Sequence, residues 1–405
     1  MIKSVVFLVL LLTNSFFTSL NSQADTMALP IFQHRLSKNL IEDLSNGALD
    51  ESKVASQLTY IGEYLKAQEI SYDGPIAWGF DTLTWEDQVY FADFSPIDAI
   101  ASIIEESAKH QIVIINEAHH KPQHRMLTRS LLKGLYQNGY KYFGLEALTN
   151  LNDSIERKFS HGTTINERGY PLNSPVSGTY TSEPQMSNLI REAITIGFTI
   201  FKYEEFGKER EQNQAKNIAK ILEEDPEAKI LIHCGWYHLL EKANNEKRWM
   251  ASYLSEYTGI NPLTIYQDIL VERYSSKESP FYEMIKYDSP KVFRNQFGEY
   301  YNGFKGNSYF DILVYHPRTQ FVMNRPNWLY HYPGNKSYDI ENITVGYPCL
   351  IKAYKSNEDS HAMPIDIIEK DYENDPTVLC LPLGEYRLEI TNDSGDKEIR
   401  TIIIK

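Results

Sequence analysis

Cysteine is scarce: Cys234, Cys349 and Cys380 are the only three in a chain of 405 residues. That excludes a small disulfide-framed scaffold and a multi-cysteine zinc module. Beyond residue 24 no long apolar run occurs, so nothing there reads as a membrane span. Basic charge is in deficit, with 40 Lys and Arg against 54 Asp and Glu. At a formal net charge of -14 a phosphate backbone would be repelled, and nucleic acid is not an expected partner. Internal repeats and low-complexity tracts are also missing. What the chain does have is 42% hydrophobic and 13% aromatic residues, enough for a large core, at a length beyond one compact domain of ordinary size.

The single strong apolar run stands at the start. In MIKSVVFLVLLLTNSFFTSLNSQA, Lys3 precedes the run and Ser22-Gln23-Ala24 gives a small-x-small ending, so 1–24 reads as a signal peptide cut after Ala24. The run is short for a membrane anchor and Asn14 interrupts it; no cysteine near the cut offers a lipid attachment point. The expected location is secreted or periplasmic, without a transmembrane segment in the mature chain. In such an oxidising compartment Cys349 and Cys380 are candidates for a bond, with Cys234 left free.

Periodicity divides the rest. Residues 25–94 read as a helical segment followed by an aromatic connector, with a turn at Gly74-Pro75 and tryptophans suited to a core. Residues 95–272 alternate strands and helices. The strand candidates are QIVIINEA (111–118), YKYFGLEAL (140–148), FTIFKYEE (198–205), AKILIHCGWYH (228–238) and PLTIYQD (262–268). Amphipathic stretches of helix length separate them, which predicts an α/β fold: a mostly parallel central sheet with helices on both faces. The segment 150–181, rich in Ser, Thr, Gly, Asn and Pro, is expected to lie over one end of that sheet. Residues 273–338 read as a β-rich extension. Residues 339–405 read as a small β-sandwich-like domain, closing on a hairpin turn at Asn392-Asp393-Ser394-Gly395.

Ligands of such a sheet collect beyond the carboxyl ends of its strands. The first four candidates end in Glu117-Ala118-His119-His120, in Glu146, in Tyr203-Glu204-Glu205, and in His233-Cys234-Gly235-Trp236-Tyr237-His238. Four ionisable ends at one edge are what point to a site. Glu117 and His119, two apart on a strand end, face one side, so the carboxylate would orient the imidazole. Pro122 suits the first turn of the next helix, and His124 either leans over the same site or caps that helix. His120 reads as exposed. Glu146 and Glu204 follow apolar runs and need partners if buried. Glu205 would face solvent and Tyr203 the core. His238 is preferred over His233, which is either a site residue or a histidine satisfied in the sheet. Cys234 reads as a buried thiol. Arg210 opens a helix, where a cation is unfavourable unless an anion sits opposite, a substrate carboxylate or a site glutamate.

These residues resemble a family. NEAHHKPQHR is similar to the G-E-x-H turn with a downstream histidine in the superfamily that groups erythromycin esterases, ChaN-like haem-uptake lipoproteins and Tiki metalloproteases. GLEA resembles its second-strand glutamate, REQNQAKNI its arginine-led helix, and HCGWYH its late glycine-histidine strand. The match covers roughly residues 100–270, with Asn116, Gln214 and Cys234 departing from the usual glycine, methionine and alanine. The resemblance implies Glu117, His119, Glu146, Arg210 and His238 as the site set. It implies a metal-free histidine base in the esterase branch, a divalent cation on His and Glu in the Tiki branch, and a porphyrin in the haem-uptake branch.

The leading expectation is a hydrolase of esters or peptides in which His119, oriented by Glu117, activates water and Arg210 or His238 stabilises developing charge. A metal variant would use His119, His238, Glu117, Glu146 and His124 as ligands of zinc or manganese. The alternatives are a haem or metal carrier with a Tyr or His axial ligand, and a degenerate enzyme whose β-rich tail binds glycan or protein.

Overall fold

A computed structural model describes residues 29–70, 80–149, 151–160, 162–243, 247–274, 278–303 and 308–405. The signal-peptide reading of 1–24 and the Gly74-Pro75 turn lie outside the described residues. Among the described residues no helix is long and apolar enough to cross a membrane.

The chain is α/β. Eight strands form the main sheet: β1 (Ser95–Asp98), β2 (Ile112–Glu117), β3 (Tyr140–Leu145), β4 (Thr199–Lys202), β5 (Lys229–Gly235), β6 (Leu263–Leu270), β7 (Lys291–Arg294) and β8 (Ile312–Tyr315). Their order is β1-β7-β8-β6-β2-β5-β3-β4. The pairs β8/β6, β6/β2, β2/β5, β5/β3 and β3/β4 are parallel, and only β7 runs against its neighbours. All five strands read from the sequence are present. Residues 273–338, expected as a β-rich extension, supply β7 and β8 to this same sheet.

Both faces of the sheet are covered, which is why β2 is apolar without alternation and buried along its whole length. Ile112, Ile114, Ile230 and Ile232 point to one face, where they meet Ala215 and Ile218 of the helix Arg210–Glu224 and Leu254 of the helix Met250–Thr258. Val113, Ile115 and Leu231 point to the other, against Leu131 and Leu135 of the helix Pro122–Gln137 and Leu189 of the helix Pro184–Ile196. The period-2 alternation of strand side chains sends consecutive residues into two separate cores.

Towards the C-terminus come β9 (Phe321–Val322), β10 (Arg325–Pro326), β11 (Lys336–Tyr338), β12 (Cys349–Lys355), β13 (Asp366–Lys370), β14 (Leu379–Leu381), β15 (Gly384–Asn392) and β16 (Lys397–Ile404). An antiparallel sheet β13-β12-β15-β16 packs Ile351, Leu388 and Ile390 against Leu379 and Leu381 of the pair β11/β14. Its other face receives the N-terminal helices: Leu350 and Ile367 meet Leu36, Leu40, Val54 and Leu58. The 392–395 turn closes the last hairpin, with the Gly395 N–H donating to the Asn392 carbonyl at 3.2 Å.

Cys349 and Cys380, the candidate pair, are not bonded; all three cysteines are buried free thiols. On β14, Leu379 and Leu381 point into the sandwich core where Cys349 sits, whereas Cys380 between them points away, towards Tyr64 and Leu329. Burial pushes both thiols up to about 11.

A carboxyl pair that meets Thr264 of β6, Glu241 from the loop after β5 and Asp311 just before β8, gives the fold a pH dependence. The Thr264 hydroxyl donates to Glu241 at 2.5 Å, and the Thr264 N–H donates to Asp311 at 2.9 Å. Burial, reinforced by Asp311, lifts Glu241 from 4.5 to about 7. The folded state therefore holds a proton that the unfolded chain has released, and stability falls as pH rises from about 4.5 through 7. In Glu241→Gln, urea midpoints at pH 5 and pH 8 are expected to lie closer together than in the native chain, with the part set by Glu369, also raised to about 7, left in place.

Candidate functional site

The carboxyl ends of β2 to β5 converge on one charged cluster. Glu117 ends β2, Glu146 follows β3, Glu204 follows β4, and His238 follows β5 across a short turn. Arg210, at the start of its helix, joins two of them: its Nη2 donates to Glu146 Oε1 at 2.8 Å and its Nε to Glu204 Oε1 at 2.9 Å, with a further short contact to Glu204 Oε2. The anion that a cation at a helix N-terminus requires is thus supplied from inside the chain. Gln214, one turn along, donates to Glu204 at 3.0 Å.

Glu146 also accepts the Gly235 N–H through Oε2 and lies 3.6 Å from His238 Nε2. Burial alone would raise its carboxyl, but His238, His119, Arg210 and the Gly235 N–H together bring it down to about 2. Nδ1 of His238 meets Glu211 at 2.7 Å, and the Met250 N–H fixes Glu211 at 3.1 Å. Burial opposes charge on His238, yet Glu146 and Glu211 outweigh it and raise its proton affinity. Two carboxylates favour the protonated form of this ring.

His119 is set by a different pair of contacts. Its Nδ1 lies 2.9 Å from Glu117 Oε1, and its ring stacks on Tyr180 at 4.0 Å with 17° between planes. Tyr180 comes from the 150–181 segment, so at this residue that segment reaches the strand ends. The opposite side of the ring is Gly235, where a Cβ would come within 2.5 Å of His119 Nε2 and 3.1 Å of Glu146 Oε2. Glycine is needed here because any side chain would drive the ring off its place. Next in sequence, Trp236 takes φ 47, a strained value for a bulky residue. The turn is held by its N–H on Glu117 O and by Asn116 Nδ2 on its carbonyl, both 2.8 Å. Asn116 locks this turn.

The cluster therefore brings together Glu117, His119, Glu146, Glu204, Arg210 and His238. Other sequence expectations fall elsewhere. His124 does not lean over the site: its Nδ1 accepts the Ala118 N–H at 3.0 Å, and the ring, fully buried, lies 4.9 Å from His316. Burial holds it neutral, as a lock on the turn that presents His119. His120 is not exposed; it is 7% accessible and packs 5.9 Å from Trp236. His233 stays within β5, 3.7 Å from Glu117, and burial lowers it to about 4. Cys234 is a buried thiol against Ile115 O, and Glu205 faces solvent.

The sequence reading missed Arg125, Glu183 and Glu211. Arg125 falls on the buried stripe of its helix with Thr128, Leu132 and Leu135, a pattern that by itself demands a counter-charge. Glu183 stands just before Pro184 at a helix start, a readable capping position. Glu211 carried no sequence signal, because its partner lies 27 residues on.

The candidate metal ligands are engaged by other side chains. Among the described residues no group of three or more His, Cys, Asp or Glu is arranged to hold an ion. Both oxygens of Glu117 hold Arg125, both oxygens of Glu146 are engaged by Arg210 and Gly235, His238 Nδ1 is taken by Glu211, and His124 faces away. A separate concavity between the helix Pro184–Ile196 and the C-terminal sheet has Arg129 and Arg191 in its wall, already paired with Glu192 and Glu358.

No protein-family model matches the chain, and no curated protein matches it. Among solved structures it is similar to the type III effector HopBA1 (TM-score 0.32, 10% identity, 55% of this chain and 96% of the other). A structure of ChaN of Campylobacter jejuni described as binding heme cofacially gives a TM-score of 0.29 at 13% identity, over 46% of this chain and 92% of the other. A structure described as bacterial protein toxins gives 0.27 at 13% identity, over 56% and 46%.

Proposed function

We propose that the chain is a hydrolase that activates water at His119, acting on an ester or peptide bond of a small molecule or peptide outside the cytoplasm. The observation that carries this reading is the Glu117–His119 pair at 2.9 Å, with Glu117 itself pinned by Arg125. Burial would raise Glu117, but the Arg125 charge and hydrogen bonds, helped by His119, take it well below the usual carboxylate range. A fixed carboxylate that accepts Nδ1–H leaves the lone pair of Nε2 on the cleft side.

In the reaction, Nε2 takes a proton from water, the oxygen attacks the carbonyl, and negative charge builds on the carbonyl oxygen. The His238 imidazolium and the Arg210 guanidinium supply donors to that charge, and His119 returns its proton to the leaving group. Glu146, tied to His238 and to Arg210, keeps both cations in place.

The test is a panel of p-nitrophenyl esters and fluorogenic peptides with purified mature chain, run with and without chelator. Turnover that survives chelation is expected. Turnover restored only by added zinc or manganese would overturn the assignment of His119 as a metal-free base.

A further inference from the structure

Behind the Glu117–His119 pair lies a second, wholly buried set of charges that the proposed reaction does not use. Arg125 is 0% accessible and presents three arms. Nε and Nη2 donate to the two oxygens of Glu117 at 2.6 and 2.8 Å, and Nη1 donates to Glu183 Oε2 at 2.9 Å. Nη2 also reaches the His119 carbonyl at 2.8 Å, so the guanidinium grips the backbone and the carboxylate partner of the same histidine. Glu183 is 0% accessible as well, and its Oε2 caps the helix Pro184–Ile196 through the Met186 N–H at 2.7 Å. Its other oxygen accepts the Tyr64 hydroxyl at 3.1 Å. Tyr64 comes from the N-terminal helix Tyr64–Ile70, more than fifty residues before the site.

Buried ions persist only when their hydrogen-bonding capacity is filled, and an arginine fork fixes direction as well as charge. Each link here is fixed by short hydrogen bonds in a buried setting. The side-on fork sets the plane of the Glu117 carboxylate; that plane sets which lone pair faces His119 Nδ1; and that lone pair decides which ring nitrogen carries the proton. Glu183 sets the third arm of the fork, and Tyr64 holds Glu183 from the far side. We propose that Arg125, Glu183 and Tyr64 form a positioning relay that fixes His119 in its Nδ1–H tautomer, so that the N-terminal helices are part of the frame of the site. The relay rests on the reading of His119 as the base, and it concerns the ring itself rather than any particular substrate.

The relay is tested by nitrogen NMR of full-length mature chain carrying 15N-histidine, with His119 assigned by its loss in His119→Asn. In the native chain the neutral His119 ring is expected as a single Nδ1–H tautomer. Tyr64→Phe keeps the ring contacts with Trp328 at 5.2 Å and Arg325 at 5.3 Å and removes only the hydroxyl. Both it and Glu183→Gln are expected to give a mixture of the two tautomers at an unchanged melting temperature for Tyr64→Phe. Where a substrate has been found, kcat falls with little change in KM, by about 10-fold for Glu183→Gln. Glu117→Gln serves as the positive control. A single Nδ1–H tautomer in Tyr64→Phe and Glu183→Gln, with a mixture in Glu117→Gln, overturns the relay. Because the tautomer is read without turnover, failure of the hydrolase reading leaves this result interpretable on its own.

Discussion

Replacing His119 by glutamine is expected to lower kcat/KM for any hydrolysed substrate by about 100- to 10,000-fold, the usual contribution of a positioned general base. Glutamine keeps a donor for Glu117 Oε1 and a planar group against Tyr180, so the circular dichroism spectrum and the melting temperature should change little. What it lacks is a basic nitrogen at the Nε2 position beside Gly235. The loss should sit in kcat, since the base acts on the water only as the transition state forms. A folded His119→Gln protein that still turns over substrate at the native rate would sink the assignment and pass the role to His238 or Glu146.

The largest effect on stability is expected at Arg125. Arg125→Met fills the same volume but leaves Glu117 and Glu183, 1% and 0% accessible, buried without their cation. Breaking a buried pair in this way costs about 3–5 kcal/mol, a large share of the roughly 5–15 kcal/mol that holds a typical domain together. Urea unfolding at pH 7.5 should show the loss. The deficit should shrink as pH falls. Glu117 is held well below its ordinary value in the native chain, so its contribution is present above about 4.5 and disappears as it protonates, while the variant has no such contribution to lose. Adding Glu117→Gln and Glu183→Gln to Arg125→Met should recover part of the stability, because removing a whole charged set is cheaper than orphaning half of it. An Arg125→Met protein as stable as the native chain at pH 7.5 would show that these carboxylates find water or another partner.

The two expectations draw on different parts of the chain's legibility. That Glu117, Glu146, Glu204 and His238 stand at one edge followed from the sequence, because strand, helix and turn signals are properties of consecutive residues. Parallel strands then point their carboxyl ends the same way. The Glu117–His119 contact was legible for the same reason: it spans two residues. Arg210 announced a missing anion by its place at a helix start, though not which glutamate would supply it.

Other features needed the tertiary structure. His124 and His119 look equivalent in NEAHHKPQHR, yet one accepts the Ala118 N–H in the interior and the other faces the cleft. Cys349 and Cys380 are near in sequence and in one sandwich, but strand alternation turns one into the core and the other out of it. Glu183, Glu211 and Glu146, which meet Arg125, His238 and Gly235, lie 58, 27 and 89 residues from them. Sequence by itself determined the α/β class, the strand ends and the kinds of side chain that gather there, since local periodicity and strand direction suffice for those. Only the packed fold decided which oxygen meets which nitrogen, because that depends on sheet order and on crossovers between residues far apart in the chain.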